Sequence, residues 1–168
     1  MKHWRLIISM AVALLISAQV ASAQDSASSV VGVWKLTAFS TKNVTTNTVS
    51  KPFGEHPSGY FFFTRGGNIA FFAVGQDRRP PAASTAPTDA ERAELYKTMI
   101  AAFTGTYKVE GSRVIIQVDA SWNQAWTGTQ QPRNIQIEDK QLTVTTPPLR
   151  NLIPGQEIVV TAIFDRAE

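Results

Sequence analysis

From about residue 31 the chain falls into short runs in which apolar and polar residues alternate, the period-two pattern of β-strands. The first run predicts a strand over 31–42, with Trp34, Leu36 and Ala38 on one face and Val33, Lys35 and Thr37 on the other. A Thr- and Asn-rich stretch, 43–50, reads as a turn or a brief strand. Residues 51–59 contain Pro52, Gly54, Pro57 and Gly59 and read as a loop. Runs at 60–65 and 68–74 flank Gly66-Gly67, whose freedom to adopt positive φ suits a hairpin turn. This hairpin carries aromatics at both parities: Tyr60, Phe62 and Phe71 at some positions, Phe61, Phe63 and Phe72 at others. A strand with one wet face alternates with polar residues, so the pattern predicts that something covers the second face.

The expected cover follows a proline-rich loop at 76–87. Thr88-Asp89-Ala90-Glu91 fits a capping box, and Asp89, Glu91 and Glu94 suit the positive end of a helix dipole. Tyr96, Met99, Ile100 and Phe103 make an apolar stripe at helical spacing, which predicts one helix over about 89–103. Five further strands are expected at 105–110, 113–119, 130–138, 141–146 and 157–165. Short turns at Glu110-Gly111-Ser112 and Asp139-Lys140 make neighbouring strands antiparallel. The expectation is an all-β domain of eight or nine strands with one inserted helix. Such a sheet exposes two edges unless it closes into a barrel or stacks into a sandwich, and eight strands enclose a space that side chains fill or one small ligand occupies.

The ordered set Gly32-Val33-Trp34-Lys35-Leu36, Pro52-Phe53-Gly54, Pro57-Ser58-Gly59-Tyr60, Phe63-Thr64-Arg65-Gly66-Gly67, Phe103-Thr104-Gly105-Thr106-Tyr107, Trp126-Thr127-Gly128, Gln131-Pro132-Arg133 and Leu142 to Pro148 resembles the lipocalin superfamily, most closely the bacterial and fungal lipocalin-like domain family. The resemblance spans nearly all of 31–166. It implies an antiparallel up-and-down barrel in which the first-strand Trp34 closes the floor and an arginine near the chain end, here Arg166, lies across it. The family's usual Pro-Asp-Gly hairpin turn is replaced by Arg65-Gly66-Gly67. Alternation over the last strand places Ile158, Val160, Ala162, Phe164 and Arg166 on one face.

The N-terminus adds a destination. Lys2, His3 and Arg5 precede an apolar stretch from Leu6 to Ile16, and Ala21-Ser22-Ala23 is a small-residue cleavage site. Residues 1–23 thus read as a signal peptide, 24–30 as a disordered lead and 31–168 as the domain, periplasmic or secreted, with no membrane span after cleavage. The chain's 16 Lys and Arg, less Lys2 and Arg5, leave 14 against 13 acidic residues. With no basic run, nucleic acid is not an expected partner. There are no cysteines, so no disulfide supports the fold.

Few residues suggest chemistry. His56 is the one histidine left after cleavage; it lies in a Pro/Gly loop without the companions that zinc or a serine triad would need. No cofactor-binding motif and no catalytic set are present. Arg133 alternates in phase with Ile135 and Ile137, so it should face the core. A buried guanidinium requires a partner, either Asp119 or another carboxylate, or the carboxylate or other anion of a ligand held bidentately. Tyr60, Phe62, Phe71, Tyr107, Trp122 and Trp126 are the expected lining of the cavity, with Phe61, Phe63 and Phe72 replacing members of the hairpin set if its register shifts by one. Trp122 and Trp126, in a polar stretch, fit the mouth.

Three functional classes follow. The first is a noncatalytic binder of a small hydrophobic or amphipathic molecule, with Arg133 or a tyrosine orienting its polar end. The second is a cofactor-free isomerase, cyclase or hydratase acting through His56, Tyr60, Tyr107 or Arg133. The third is an interaction module with a solid barrel, contacting partners through its helix or the 76–87 loop.

Overall fold

A computed structural model describes residues 29–83, 85–150 and 155–168. The export segment read at 1–23, and most of the polar lead at 24–30, lie outside them. Nine strands are found among the described residues: β1 (Gly32–Asn43), β2 (Val49–Ser50), β3 (Ser58–Phe63), β4 (Asn68–Val74), β5 (Met99–Glu110), β6 (Arg113–Ser121), β7 (Gln130–Glu138), β8 (Gln141–Thr145) and β9 (Ile158–Arg166). One helix, α1 (Asp89–Lys97), precedes β5. Each strand from β3 onward pairs antiparallel with the next, and β1 pairs with both β3 and β9. Eight strands therefore close into a barrel, which removes the exposed edges that an open sheet would present. β2 is an added ribbon on the far end of β1.

The register sorts the ends. Gly32, Arg166 and the turns at 64–67, 111–112 and 139–140 gather at one end, the floor. The strand ends joined by the longer connections, Asn43 and Ser58, Val74 and Met99, Ser121 and Gln130, and Thr145 and Ile158, gather at the other, the mouth. Floor chemistry explains the Gly-x-Trp opening. Trp34 is completely buried, and its indole N–H donates to the Val30 carbonyl at 2.7 Å. The Arg166 guanidinium lies 4.2 Å from the indole centroid and donates to the carbonyls of Ser29 (2.6 Å) and Val31 (3.0 Å). Gly32 has φ +141°, and a Cβ there would come within 2.8 Å of Arg166 Nη1. The glycine thus leaves room for the arginine to lie over the tryptophan.

Two elements differ from the sequence expectation. A bulge between Leu36 and Ala38 shifts the phase of β1, so that Phe39 and Thr41 follow Trp34 and Leu36 inward, opposite Ala162 and Val160 of β9, while Ala38 turns out. Helix α1 stops at Lys97, and Met99 to Phe103 belong to β5. These residues pair with β4 from Val74 to Phe71. The strand buries Ile100 and Phe103, whereas α1 buries none of its own residues. Tertiary pairing thus overrides a stripe at helical spacing, and the bulge at Ile100 lets both Ile100 and Phe103 be buried although their parities differ.

At its start α1 follows the expected capping box. Thr88 Oγ1 accepts from the Glu91 N–H, and the Glu91 carboxylate accepts from the N–H groups of Thr88 (2.7 Å) and Ala82 (2.8 Å). These bonds, Ala82's first, hold the Glu91 carboxyl below its ordinary pKa. A lowered carboxylate pKa contributes stability at pH above the unfolded value, about 4.3, and that contribution disappears as pH falls through the folded value. The protection of the Ala82 and Thr88 amides, taken relative to the intrinsic exchange rate at each pH, should therefore fall selectively on acidification below the unfolded value, and Glu91→Ala should show the same loss of protection already at neutral pH. Unchanged protection in both cases would refute the cap.

β5 and β6 come closest at Gly105, where a Cβ would lie 1.9 Å from the Gln117 carbonyl oxygen. The register slips between Thr104 and Gly105, so this glycine permits the sharp coiling with which the barrel turns a corner.

Candidate functional site

The lumen is built from alternate residues of every barrel strand, and its two sides differ. On the β3–β4–β5 side it is filled with phenylalanine. The Phe61 ring centroid lies 4.5 Å from Phe63, 4.6 Å from Phe71, 5.7 Å from Phe164 and 6.0 Å from Phe103. Tyr107 extends this cluster toward the floor: it packs edge-on against Phe63 at 5.1 Å and donates its hydroxyl to the Thr64 carbonyl at 2.8 Å. Partial burial raises its phenol pKa.

The β7 wall is different. Arg133 pairs across the ladder with the buried Val114, and Ile135 with the buried Val144, which fixes both as inward-facing. Both are only part-buried, as are Gln131 and Ile137 on the same inner face. Thr129 and Gln131 share the parity of Arg133, giving a file of polar side chains that begins at the mouth. Gln131 Nε2 donates to Thr129 Oγ1 at 3.4 Å, and its Oε1 accepts from Arg133 Nη2 at 2.5 Å; Arg133 Nη1 donates to the Pro132 carbonyl at 2.8 Å. No carboxylate lies within ion-pair distance of Arg133 among the described residues, whose three ion pairs are Lys51–Glu55, Asp89–Arg92 and Arg150–Glu157. Asp119 is exposed on the bulged edge of β6 and is not the partner weighed for it. Burial lowers the Arg133 pKa to about 10, leaving the guanidinium charged at neutral pH.

The hairpin expectation is corrected at two residues. Tyr60 and Phe62 are each 40% exposed and face outward, while Phe61 and Phe63 face the lumen. The register with β1 decides this: Trp34 pairs with Phe61, so β3 must present its odd residues inward. Phe71 is inward, as expected, and Phe72 is outward. Helix α1 does not cover the outer aromatic face. Its Tyr96 meets Trp122 at 4.4 Å and itself remains 54% exposed. Trp122 lines a shallow outer groove of about 400 Å³ with Phe62, Ala70, Phe72 and Ala102, and thus lies beside the mouth on the outside. Its indole nitrogen is buried without a hydrogen-bond partner. Trp126, on a single 3₁₀ turn, packs part-buried against the core.

The groups considered for catalysis do not converge. His56 is exposed in the mouth loop, its backbone N–H bonded to Gln76 Oε1 at 2.8 Å. Tyr107 is tied to the floor turn, and Tyr60 is outside. Sequence reasoning missed Phe39 and Phe53, whose rings meet edge-on at 5.3 Å near the mouth, and Gln131 beside Arg133. The alternation of 129, 131 and 133 could have revealed Gln131, but only the bulge in β1 turns Phe39 inward.

No helix among the described residues is long and apolar enough to cross a membrane. A comparison with curated proteins found none that matches. The sequence model of the lipocalin-like domain matches residues 31–166, the whole closed barrel from β1 to β9. With its eight closed antiparallel strands, tryptophan floor and apolar lumen, the chain belongs to the lipocalin-like domain family.

Proposed function

We propose that this protein is an exported binder of a small hydrophobic or amphipathic molecule, which enters the barrel through its mouth and lies along the inner face of β7. The observation that carries the reading is the inner face of β7, where Gln131, Arg133, Ile135 and Ile137 are all only part-buried, while the inward residues Leu142, Val144, Ala162 and Phe164 of β8 and β9 are buried. The driving force is removal of apolar ligand surface from water. Burying about 200 Å² contributes roughly 5 kcal/mol before the costs of association. The basic, apolar and small-residue segments of 1–23 support export, which an N-terminus at Gln24 on protein recovered outside the cytoplasm would establish.

The test separates the lumen from the outer groove. The mature protein is titrated with N-phenylnaphthylamine, an uncharged apolar dye that brightens on burial. Saturable binding is expected. Ala162→Phe, which projects a ring into the lumen opposite Phe39, should weaken it at least tenfold, roughly 1.4 kcal/mol. Phe72→Ser, on the outer face, should leave it unchanged. The opposite pattern, or no saturable binding, overturns the reading.

A further inference from the structure

We propose that the guest carries a single carboxylate and that Arg133 receives it. This rests on the lumenal reading above and specifies the chemistry of the ligand. Arg133 is a charged group drawn off an inward-facing strand position, and its two hydrogen bonds go to neutral acceptors on its own strand, the Pro132 carbonyl and Gln131 Oε1. No acidic side chain approaches it among the described residues. Buried charges in folded proteins are ordinarily paired, because neutral acceptors only partly replace lost hydration. The uncompensated positive charge lies on the part-buried inner face of β7 and stands at the inner end of the polar file that begins with Thr129 at the mouth.

The site also has a size and a sign. Arg166, the other cation whose contacts reach the barrel core, is committed to Trp34 and to two backbone carbonyls at the floor. One unpaired guanidinium suits one negative charge, and the planar fork of donors suits the two oxygens of a carboxylate. Gln131 can turn its amide N–H toward the same anion when Arg133 releases its oxygen. Ile135 on the same wall and Val144 across the ladder would meet the first carbons behind the carboxylate. The ligand is therefore an apolar body ending in a carboxylate, held head toward Arg133.

Calorimetric titration of the mature protein with decanoic acid and with decanol tests this, because the two share a chain and differ in charge. The acid should bind at least tenfold more tightly. Arg133→Met should bring the acid down to the alcohol's affinity and leave the alcohol within about threefold of its original value. Arg133→Lys should keep only part of the preference, since an ammonium cannot make the paired contact. The ligand-free Arg133→Met protein should also melt a few degrees higher, because a buried charge without a partner has been replaced by an apolar chain of similar length. That shift shows the variant folds and that no internal carboxylate was left behind. Equal affinities for acid and alcohol in the natural protein, or a preference that survives Arg133→Met, overturn the carboxylate assignment while the lumenal reading stands. A chain in which neither probe binds and the uncharged dye also fails overturns both.

Discussion

Trp34→Ala should cost about 3–5 kcal/mol, the range for deleting a fully buried large aromatic. That is a large share of the 5–15 kcal/mol that holds a typical domain together. The loss has three parts. The indole fills the floor completely, so its removal leaves a cavity that the closed ladder cannot collapse to fill. The Val30 carbonyl loses the N–H that satisfies it. The Arg166 guanidinium loses the ring face beneath it. Trp34→Phe separates the terms: most of the volume stays, and the expected cost falls to about 1–2 kcal/mol for the unmatched carbonyl. A double-mutant cycle with Arg166→Met should return a coupling of about 0.5–2 kcal/mol for the cation over the indole. Denaturant melts supply all of these values. Ligand affinity measured on the folded fraction should change far less than stability, because the floor lies at the end of the barrel away from the mouth. A Trp34→Ala protein that melts normally and has lost its ligand would refute the structural role.

The roles of Trp34 and Arg166 at the floor came with the resemblance to lipocalins, while the phase of Arg166 with Phe164 was legible because alternation is a local pattern. Antiparallel neighbours were legible for the same reason, since two- and three-residue turns leave adjacent strands little choice. The capping box was legible because Thr88 and Glu91 act across a single helical turn. What failed depended on pairing between distant segments. Ile100 and Phe103 fit a helical stripe until β4 offers them a ladder, and the stripe contains nothing that announces β4. Ala38 sits in phase with Trp34 and Leu36 until β9 forces a bulge into β1. The hairpin aromatics are the clearest case. Tyr60-Phe61-Phe62-Phe63 is apolar at both parities, so hydrophobicity alone cannot choose a face. The choice is made by β1, whose Trp34 admits one facing for its partner Phe61.

Arg133 shows the other limit. Its phase with Ile135 and Ile137 pointed it inward from the sequence, and the register agrees. Whether it meets a carboxylate depends on which strands surround it. Asp119 was the carboxylate named for it, yet it falls at the bulge of β6 and turns to solvent. A strongly desolvated charge without an ion-pair partner costs stability, and functional sites are where such costs are tolerated. The same reasoning distinguishes Arg133 from Arg166: both are inward arginines, but the second has its acceptors and its ring supplied by the chain itself.

Phe61→Ala against Phe62→Ala is the sharpest test of how these faces were assigned, because the two residues are adjacent and chemically identical. Phe61 is 4% exposed and touches four other phenylalanine rings, at 4.5 to 6.0 Å between centroids. Its truncation should cost about 3–5 kcal/mol, from lost burial, lost ring contacts and the void left among Phe63, Phe71, Phe103 and Phe164. Phe62 is 40% exposed on the outer wall, and its truncation should cost under about 1 kcal/mol. Equal costs would mean that β3 is out of register with β1. The void also has a consequence for binding. It would open onto the lumen from its packed side, and an apolar void of ring size takes up benzene-like guests. Toluene should therefore raise the melting temperature of Phe61→Ala in proportion to the logarithm of its concentration once it is well above the dissociation constant, and leave Phe62→Ala unmoved. The phenylalanine cluster thus packs the β3–β4–β5 side of the barrel, and its integrity is what the pair of variants measures.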